Sequence, residues 1–335
     1  MRYFRFGCPT LSLLRCFTLI GQFIVECVKV LSVLKRTDED MERSFGGDLS
    51  GGLETALILI EASESGEDAF PKFQYNPENI QGPGCDVDPT EVTLPGCSCR
   101  SQSCLPDSCP CLCFGQPYTG EGRLVEQREE EASLGYSRPV FECNVLCECS
   151  EACQSRLVQN GVRVRLGVFC TQDRGWGVLA LEAIPQGCFV CEYAGEVIGF
   201  QEARKRQLSQ TAEDMNYIIA VQEHGGGQQL SRTFVDPATV GNVGRFLNHS
   251  CQPNLVMVPV RVHSLVPRLA LFTSRDIEAG EELTFDYAGG HVTSTQTHSH
   301  RLGPQTEPGA PQRKACHCGA PNCTGVLPLD VSVLH

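Results

Sequence analysis

The stretch RFLNHSCQPN, residues 245–254, brings together an Asn-His pair, a single cysteine and a Pro-Asn turn. Two other short motifs accompany it, RGWG at residues 174–177 and EELTFDY at residues 281–287. Each motif alone would indicate only a turn with a capping side chain or a core aromatic residue. Because all three occur in order between two groups of cysteines, we interpret them as parts of one functional site.

The composition indicates a globular, acidic protein. The chain has 335 residues, of which 41% are hydrophobic and 20% are charged. This is enough apolar material for a sizeable core and suggests two or three modules. The formal charge of −13 argues against tight binding to a nucleic-acid backbone, where Lys and Arg make most contacts. The same charge suits a basic polypeptide partner through electrostatic steering.

The chain contains 21 cysteines, most of them in clusters. The largest cluster has two arms, which residues 116–138 separate: Cys97, Cys99, Cys104, Cys109, Cys111 and Cys113 in the first, and Cys143, Cys147, Cys149 and Cys153 in the second. Adjacent Cys-x-Cys units rarely have the Cα separation that a disulfide requires, whereas zinc accepts four thiolates in a tetrahedron. We therefore favour a metal cluster and keep the disulfide framework of a secreted protein as the alternative.

The number of cysteines restricts how zinc is shared. Nine of these ten thiolates cannot give three zinc ions four separate ligands each, but they suffice if three of the nine each bridge two ions. A second cluster, Cys316-x-Cys318-x4-Cys323, is one ligand short of a zinc site. Cys251 of the central stretch is the expected fourth ligand, and His317 is not expected to bind metal.

Periodic patterns predict the secondary structure. Apolar residues alternate over residues 162–170, as in a half-buried strand. Further strands are predicted at residues 177–181, 188–197, 216–222, 233–236, 255–263 and 269–274, and one helix at residues 200–211. Many short strands at close spacing indicate a mostly-β fold of small sheets. The Gly-, Ser-, Thr-, His- and Pro-rich segment 289–311 is predicted to be a mobile insert whose His291, His298 and His300 face solvent.

The N-terminal 69 residues are the least informative. Residues 11–34 are apolar, but Arg15, Glu26 and Lys29 interrupt the run that a membrane span requires, and no clear signal-peptide cleavage site is present. We expect a poorly ordered leader, with a linker from Phe45 to Asp68; a signal or anchor is the less favoured alternative. Turn signals between residues 70 and 92 indicate an extended strap along a domain surface.

Together, the motifs and cysteine clusters resemble the SET-domain protein lysine methyltransferases of the Suv39/G9a branch, over about residues 70–329. The resemblance implies a mostly-β SET fold, a β-clip with a pseudoknot, which residue patterns cannot give because threaded chains are rare. It also implies a series of segments. They are a leader and linker at 1–69, a pre-SET zinc-cluster module at 70–160, the SET catalytic domain at 161–288, a flexible insert at 289–312, and a post-SET zinc module with a tail at 313–335.

The resemblance further implies three zinc ions in the pre-SET module and one in the post-SET module. Cys97, Cys104 and Cys143 would be the bridging ligands, and the terminal ligands would be Cys99, Cys109, Cys111, Cys147, Cys149 and Cys153. Cys113 departs from the family pattern, so the choice between Cys111 and Cys113 stays open. The post-SET ligands would be Cys251, Cys316, Cys318 and Cys323, and Cys85 is expected to be a free thiol.

The implied reaction transfers a methyl group from S-adenosylmethionine to the ε-amine of a protein lysine. That amine has a reference pKa of about 10.4, so the enzyme must favour its neutral form, as a dry channel near a sulfonium charge does. The resemblance places four aromatic residues at this channel, Tyr193, Tyr217, Phe285 and Tyr287, with Tyr287 as the catalytic tyrosine. It places the cofactor against Arg174, Gly175, Trp176, Tyr217, Asn248 and His249.

The implied substrate is a lysine of the histone H3 tail in the nucleosome, and the implied location is the nucleus, on chromosomes. No membrane association and no direct sequence-specific DNA binding are expected. Because Phe285 lacks the hydroxyl that some relatives carry at its position, we expect a product that is at least dimethylated. An inert SET-like module that binds histone tails without turnover is the alternative, and the intact Tyr287 and Asn248-His249 count against it. The motifs do not identify which lysine is modified.

Overall fold

The computed structural model describes residues 45–62, 70–125, 138–211, 214–224, 230–288 and 314–328. These residues form one α-helix, α1 at Phe200–Ser209, and short 3-10 helices at Pro110–Leu112, Val158–Asn160 and Val243–Phe246. In chain order the strands are β1 (Phe45–Asp48), β2 (Ile58–Glu61), β3 (Gln74–Tyr75), β4 (Ile80–Gln81), β5 (Val140–Phe141), β6 (Leu166–Cys170), β7 (Trp176–Ala180), β8 (Phe189–Glu192), β9 (Gly195–Ile198), β10 (Ile219–His224), β11 (Leu230–Gly241), β12 (Asn248–His249), β13 (Leu255–Arg261), β14 (Arg268–Thr273) and β15 (Glu282–Phe285). Within these ranges no helix is long and apolar enough to cross a membrane.

The strands make three sheets. The first has the order β1-β2-β6-β7-β15-β12, the second β10-β11-β9-β4 with β3 also paired to β11, and the third β5-β13-β14-β8. The pairs β10–β11 and β13–β14 are antiparallel, whereas β2, β3, β4 and β5 each join a later strand in parallel. The N-terminal part of the described chain therefore extends sheets that the later part builds.

One hydrophobic cluster draws side chains from all three sheets and forms the main core. Ile58, Leu166, Val235, Leu271 and Leu283 belong to it, and each is fully buried. Burial of an aliphatic side chain of this size contributes roughly 1.5–3 kcal/mol, so these residues account for much of the stability of the sheets.

The helix α1 is attached to the second sheet by a small apolar cluster and by ion pairs. Ala203 is its one fully buried residue, and Phe200 packs against Phe234 with ring centroids 6.0 Å apart. The guanidinium of Arg206 lies 2.8 Å from a carboxylate oxygen of Glu196 and 2.9 Å from one of Asp236. These contacts fix the end of the helix next to the cavity described below.

The predicted mostly-β fold is confirmed. The predicted strands overlap β6, β7, β10, β11, β13 and β14, and the predicted helix overlaps α1. The strand predicted at residues 188–197 is two strands, because the chain leaves the third sheet after β8 and joins the second sheet at β9. Tyr193 lies at this change of sheet.

The linker predicted from Phe45 to Asp68 is wrong for residues 45–61, which form the pair β1–β2 at the edge of the first sheet. The Asp48 carboxylate accepts hydrogen bonds from the N–H groups of Gly52 (2.7 Å) and Ile58 (3.1 Å) and so closes the connection between the strands. Burial of Ile58 and pairing of β2 with β6 outweigh the glycine-rich sequence. The rest of the predicted leader and linker, residues 1–44 and 63–69, and the whole of the insert at 289–312 lie outside the described residues.

Strand β15 lies between β7 and β12, which brings two of the sequence motifs side by side. Asn248 is paired with Thr284 and His249 with Phe285. The side chain of Asn254 holds this arrangement, because its Nδ2 donates to the carbonyl oxygen of Glu282 (2.8 Å) and its Oδ1 accepts from the N–H of Thr284 (2.8 Å). The Pro-Asn turn of the central stretch thus holds β15 in place through hydrogen bonds from Asn254.

Candidate active site and cysteine clusters

A cavity of about 840 Å³ lies where the three sequence motifs meet. Its walls come from the β6–β7 turn, the end of β8, the end of α1, the segment before β10, the 3-10 helix before β12 and the C-terminal segment 314–328. All six residues predicted for the cofactor line it: Arg174, Gly175, Trp176, Tyr217, Asn248 and His249. Of the four aromatic residues predicted for the lysine channel, Tyr193, Tyr217 and Tyr287 line the same cavity.

Tyr287 is held by the central stretch. Its hydroxyl donates to the carbonyl oxygen of Leu247 (2.9 Å), and its ring centroid lies 5.3 Å from that of His249. Burial raises the pKa of Tyr287 well above its ordinary value. The hydroxyl therefore stays protonated at neutral pH and acts as a hydrogen-bond donor.

The other aromatic residues form a connected group with Tyr287. The Tyr193 hydroxyl donates to the carbonyl oxygen of Tyr217 (2.5 Å), and burial raises the pKa of Tyr193 well above its usual range. Phe285 is buried, with its ring centroid 4.9 Å from that of Tyr287 and 5.9 Å from that of Tyr193. Phe285 thus packs against two of the three tyrosines that line the cavity, Tyr193 and Tyr287.

The RGWG motif is held against the central stretch by one carboxylate. Glu282 accepts from Arg174 Nη2 (2.7 Å) and from Asn248 Nδ2 (3.1 Å), and Asn248 Nδ2 also approaches the carbonyl oxygen of Trp176 (3.3 Å). Gly177 is required by close approach, because a Cβ there would lie 2.9 Å from the Phe169 ring and 3.1 Å from Asn248 Nδ2. The arrangement fixes the part of the cavity wall that is predicted to bind the cofactor.

His249 links this cavity to the second cysteine cluster. Its Nδ1 accepts from the N–H of Tyr287 (3.3 Å), which places the proton of the neutral ring on Nε2, 3.4 Å from Cys251 Sγ. Burial lowers the pKa of His249, although the nearby Asp286 carboxylate opposes this effect. The neutral ring therefore bridges the backbone of Tyr287 and a cysteine of the cluster.

The larger cysteine cluster has the spacing of a shared zinc cluster. The Sγ atoms of Cys97 and Cys104 are 3.8 Å apart, and those of Cys104 and Cys143 are 3.7 Å apart. Four ligands about 2.3 Å from one zinc ion would be separated by about 3.8 Å. The sulfur atoms group into overlapping sets of four. The sets are Cys97, Cys99, Cys104 and Cys109; Cys97, Cys104, Cys143 and Cys149; and Cys97, Cys109, Cys111 and Cys143.

The three predicted bridging cysteines are among the four that more than one of these sets contains. Cys97 belongs to all three sets, and Cys104 and Cys143 to two each, as does Cys109. The remaining predicted ligands lie against the cluster, with Cys147 Sγ 3.7 Å from Cys111 Sγ and Cys153 Sγ accepting from the N–H of Cys104 (3.4 Å).

Exposure separates the cysteine cluster from the neighbouring Cys113. Cys113 is exposed and belongs to none of the sets, which favours Cys111 over Cys113 as a ligand. Although burial raises the pKa of Cys97, hydrogen bonds from the Cys99 N–H and from neighbouring thiols lower it to about 6. A thiolate is the form that binds zinc. Every cysteine in the described ranges is free, so the disulfide alternative finds no support there.

The smaller cluster has the four sulfur atoms that the sequence predicted. Those of Cys251, Cys316, Cys318 and Cys323 lie within 4.8 Å of one another. The Asn322 side chain donates to the carbonyl oxygen of Cys251 (2.9 Å), which ties the C-terminal segment to the central stretch. His317 is exposed and lies at the rim of the cavity, outside the sulfur group.

Sequence reasoning missed several residues of the site. Glu282 and Asn254 belong to the sequence motifs, but their hydrogen-bond partners depend on where β15 lies in the sheet. Phe73 of the strap packs on Phe246, with ring centroids 5.6 Å apart. Arg245 lines the cavity although no role was assigned to it. The only available signal was its position at the start of the central stretch.

Comparison with known proteins places the chain in one family. The SET domain family matches residues 175–288, and the Pre-SET motif family matches residues 50–156. The chain is 45% identical over 304 residues to the histone-lysine N-methyltransferase SETMAR of Mus musculus, which covers 90% of this chain and 96% of the relative. The crystal structure of the methyltransferase domain of human SETMAR superposes with a TM-score of 0.72 at 43% identity, over 84% of this chain and 98% of that one.

The chain therefore belongs to the SET-domain family of protein methyltransferases. Within that family it is a histone-lysine N-methyltransferase that uses S-adenosylmethionine, with SETMAR proteins as close homologues and Suv39-type structural neighbours. One such neighbour, KRYPTONITE in complex with mCHH DNA, H3(1–15) peptide and SAH, has a TM-score of 0.62 at 30% identity over 85% of this chain and 54% of that one. The predicted family, fold and enzyme class are confirmed, and so is the predicted cofactor.

Proposed function

We propose that the chain methylates a lysine in the tail of histone H3, in the nucleus and on chromosomes. The observation that carries the proposal is the single cavity in which Tyr193, Tyr217 and Tyr287 meet the residues predicted to bind the cofactor. The H3(1–15) peptide bound to KRYPTONITE supports the substrate. The formal charge of −13 suits a basic tail and disfavours sequence-specific binding to DNA by this chain.

The reaction is an in-line displacement in which the lysine nitrogen attacks the methyl carbon and the sulfur departs. S-adenosylmethionine supplies the activated methyl group. Tyr193 and Tyr217 form the wall that keeps water from the amine, and their rings attract the arriving lysine. The Tyr287 hydroxyl gives its proton to the Leu247 carbonyl oxygen, so its oxygen lone pairs are left to orient the reacting groups and to stabilise positive charge near the sulfur. No covalent enzyme intermediate is required.

The cofactor is held by the RGWG motif and by the backbone of the central stretch. The Asn248 side chain already donates to Glu282 and Trp176, and the His249 ring lies between Tyr287 and Cys251. Because these side chains already have partners, we expect Asn248 and His249 to contact the cofactor through their backbone groups. The left-handed backbone at Gly175, with φ of 64°, gives the close approach that a side chain would hinder.

Four zinc ions complete the structure. Nine cysteines of the pre-SET module, residues 70–160, would hold three ions, and Cys251, Cys316, Cys318 and Cys323 would hold the fourth. The SET domain would comprise residues 161–288, with the β1–β2 pair at the edge of its first sheet, and the post-SET module would begin near residue 313. Because segment 314–328 lines the cavity, the fourth ion would hold one wall of the active site.

Peptide methylation tests the proposed substrate directly. The zinc-loaded full chain would be incubated with S-adenosylmethionine and a panel of H3 peptides, each with a single unmodified lysine, and the products read by mass spectrometry. We expect one lysine to be preferred and Tyr287→Phe to lose most of the activity while keeping its cofactor affinity. Equal activity of Tyr287→Phe would remove this residue from the mechanism, and no methylation of any H3 peptide would contradict the proposed substrate.

We further propose that the product is at least dimethylated. Phe285 is buried against Tyr287 and Tyr193 and offers no hydroxyl to hold a water or the amine. A methylated amine can then turn and present its lone pair again. In Phe285→Tyr the added hydrogen bond of roughly 1 kcal/mol should shift output about fivefold toward monomethyl-lysine. Accumulation of monomethyl-lysine alone by the unmutated enzyme, with excess cofactor, would show that Phe285 does not act in this way.

A further inference from the structure

Arg245 is a buried cation on the wall of the catalytic cavity. Its side chain lines the cavity, and the residue is only 7% exposed. The guanidinium carbon lies 4.3 Å from the ring centroid of Phe73, 4.9 Å from that of Tyr217 and 5.2 Å from that of Phe246. Aromatic faces attract a cation at such distances, so three rings hold the guanidinium in place.

No carboxylate neutralises this charge among the residues that the structure describes. Nε and Nη1 of Arg245 are buried without a hydrogen-bond partner there, and Nη2 only approaches the carbonyl oxygen of Ala238 at 3.5 Å. Other arginines near the site differ. Arg206 has carboxylate partners in Glu196, Glu202 and Asp236, and Arg174 pairs with Glu282 at 2.7 Å.

The groups that surround Arg245 do not supply the missing negative charge. The carboxylates of the cavity wall, Asp173 and Asp214, are exposed to solvent, which screens them. The buried carboxylate Asp236, near Tyr193, is paired with Arg206. Besides Arg245, the arginine and lysine side chains that line the cavity are Arg174 and Lys314. The titratable rings of the wall are Tyr193, Tyr217, Tyr287, His249 and His317; burial raises the pKa values of Tyr193 and Tyr287, so these two are neutral at pH 7.

We propose that Arg245 is a positioning residue that places an unneutralised positive charge beside the methyl-transfer cavity and holds the ring of Tyr217 against it. A fixed cation disfavours a second cation nearby, so it lowers the pKa of a lysine amine that enters the channel. It also disfavours the positively charged sulfonium form of the cofactor relative to its neutral product. The inference rests on the proposed placement of the substrate lysine near Tyr193, Tyr217 and Tyr287, but its effect on the cofactor does not.

Cofactor binding provides the first test, because S-adenosylmethionine carries the sulfonium charge that S-adenosylhomocysteine lacks. Calorimetry would give both dissociation constants for the wild-type chain and for Arg245→Gln, Arg245→Met and Arg245→Lys. We expect the two neutral variants to gain affinity for S-adenosylmethionine relative to S-adenosylhomocysteine by about three- to tenfold, the size of one partly screened charge. Arg245→Lys keeps the charge and should keep the wild-type ratio.

The matched control is Arg206→Gln, which removes a partly buried cation that carboxylates neutralise and that lies outside the cavity wall. It should leave the ratio of the two dissociation constants unchanged. An unchanged ratio in a neutral Arg245 variant that melts near the wild-type temperature would overturn the proposal. The proposal would also be overturned if Arg245→Lys changed the ratio of the two dissociation constants as much as the neutral variants do. The effect would then come from the shape of the side chain and not from its charge.

The second test is the pH dependence of turnover at saturating peptide, which reports the amine of the bound lysine. The rising limb of kcat should move up by about 0.5–1 pH unit in Arg245→Gln and should stay in place in Arg245→Lys. A limb that does not move in the neutral variants would contradict an effect on the amine. If the wild-type chain methylates no H3 peptide, the proposed substrate fails, and the cofactor ratio still decides the role of Arg245.

Discussion

The cysteine module between residues 97 and 153 and the three sheets have different interiors. The cysteine cluster of the module buries seven thiols and one leucine, Leu112, whereas the main cluster of the sheets consists largely of aliphatic and aromatic side chains. In the described residues of the module, regular structure is limited to one 3-10 helix and β5. Apolar burial stabilises the sheets without any ligand, but packed thiols gain little until metal replaces their protons. The same chain thus contains one region that folds on its own side chains and one that requires ions.

Removal of zinc should have the largest effect and should separate the two regions. Binding of a structural zinc ion by thiolates is worth about 10 kcal/mol or more, so a chelator should unfold the module. Hydrogen exchange should show loss of protection at residues 97–113 and 143–153, which carry the cysteines, and retained protection in β13 and β14. Elemental analysis of the untreated protein should give about four zinc ions per chain.

Loss of protection in β13 and β14 at the same chelator concentration would show that the two regions fold as one unit. A zinc content of one or less in active protein would contradict the shared cluster.

Cys323→Ser should have the next largest effect, and it should fall on activity. The segment that carries Cys323 lines the cavity through Ala315, Cys316 and His317, so loss of the fourth ion removes one wall. We expect loss of one zinc per chain and at least about a tenfold fall in kcat/KM, with the melting of the sheets unchanged. Cys113→Ser is the matched control, since Cys113 is exposed and outside the sulfur groups. Loss of zinc with full activity would show that the ion does not support the site.

Sequence patterns predicted the parts of the fold that depend on local periodicity or on the number of ligands. Alternating residues gave β6 and β13, and cysteine spacing gave both clusters, because each signal is complete within a short segment. The pair β1–β2 was missed because its strands are stable only against β6. Strands as short as β12 and β15 depend on each other, so no local pattern marks them. Whether a charged side chain such as Arg245 has an oppositely charged partner likewise depends on residues far away in the chain, so the sequence alone does not show it.

In the sheets, stability should respond to loss of apolar volume and not to the metal. Leu271 is fully buried in the main core, and Leu271→Ala should lower the free energy of unfolding by about 3 kcal/mol through lost burial and a residual cavity. Leu265→Ala, at a leucine that is 66% exposed, should cost less than about 0.5 kcal/mol. Urea unfolding of the zinc-loaded protein, followed by fluorescence of Trp176 in β7, measures both changes. Equal effects of the two substitutions would mean that the sheets are not held by this core.

Glu192→Gln should produce the smallest change, and one that appears only as a function of pH. Glu192 is 4% exposed in β8; its Oε1 has no partner among the described residues, and its Oε2 lies 3.6 Å from Arg268 Nη1. Burial raises the pKa of Glu192 to about 7, although Arg268 opposes this. Between the ordinary carboxyl pKa near 4.5 and this value, the folded chain keeps a proton that the unfolded chain has released. The free energy of unfolding should therefore fall as pH rises from 4.5 to 7 and level off above it.

The amide of Glu192→Gln cannot ionise, so the variant should lack this part of the slope and should be more stable than the wild type by about 2 kcal/mol at pH 8, with little difference at pH 4.5. The difference between the two urea-unfolding profiles isolates Glu192 from other groups such as Glu54, whose pKa burial also raises. Glu121→Gln, at an exposed carboxylate, is the control and should leave the profile unchanged. A constant difference between wild type and Glu192→Gln across this range would show that Glu192 does not titrate there. The sheets would then tolerate a buried charge paired only with Arg268, which the contrast with the thiol-lined module does not lead us to expect.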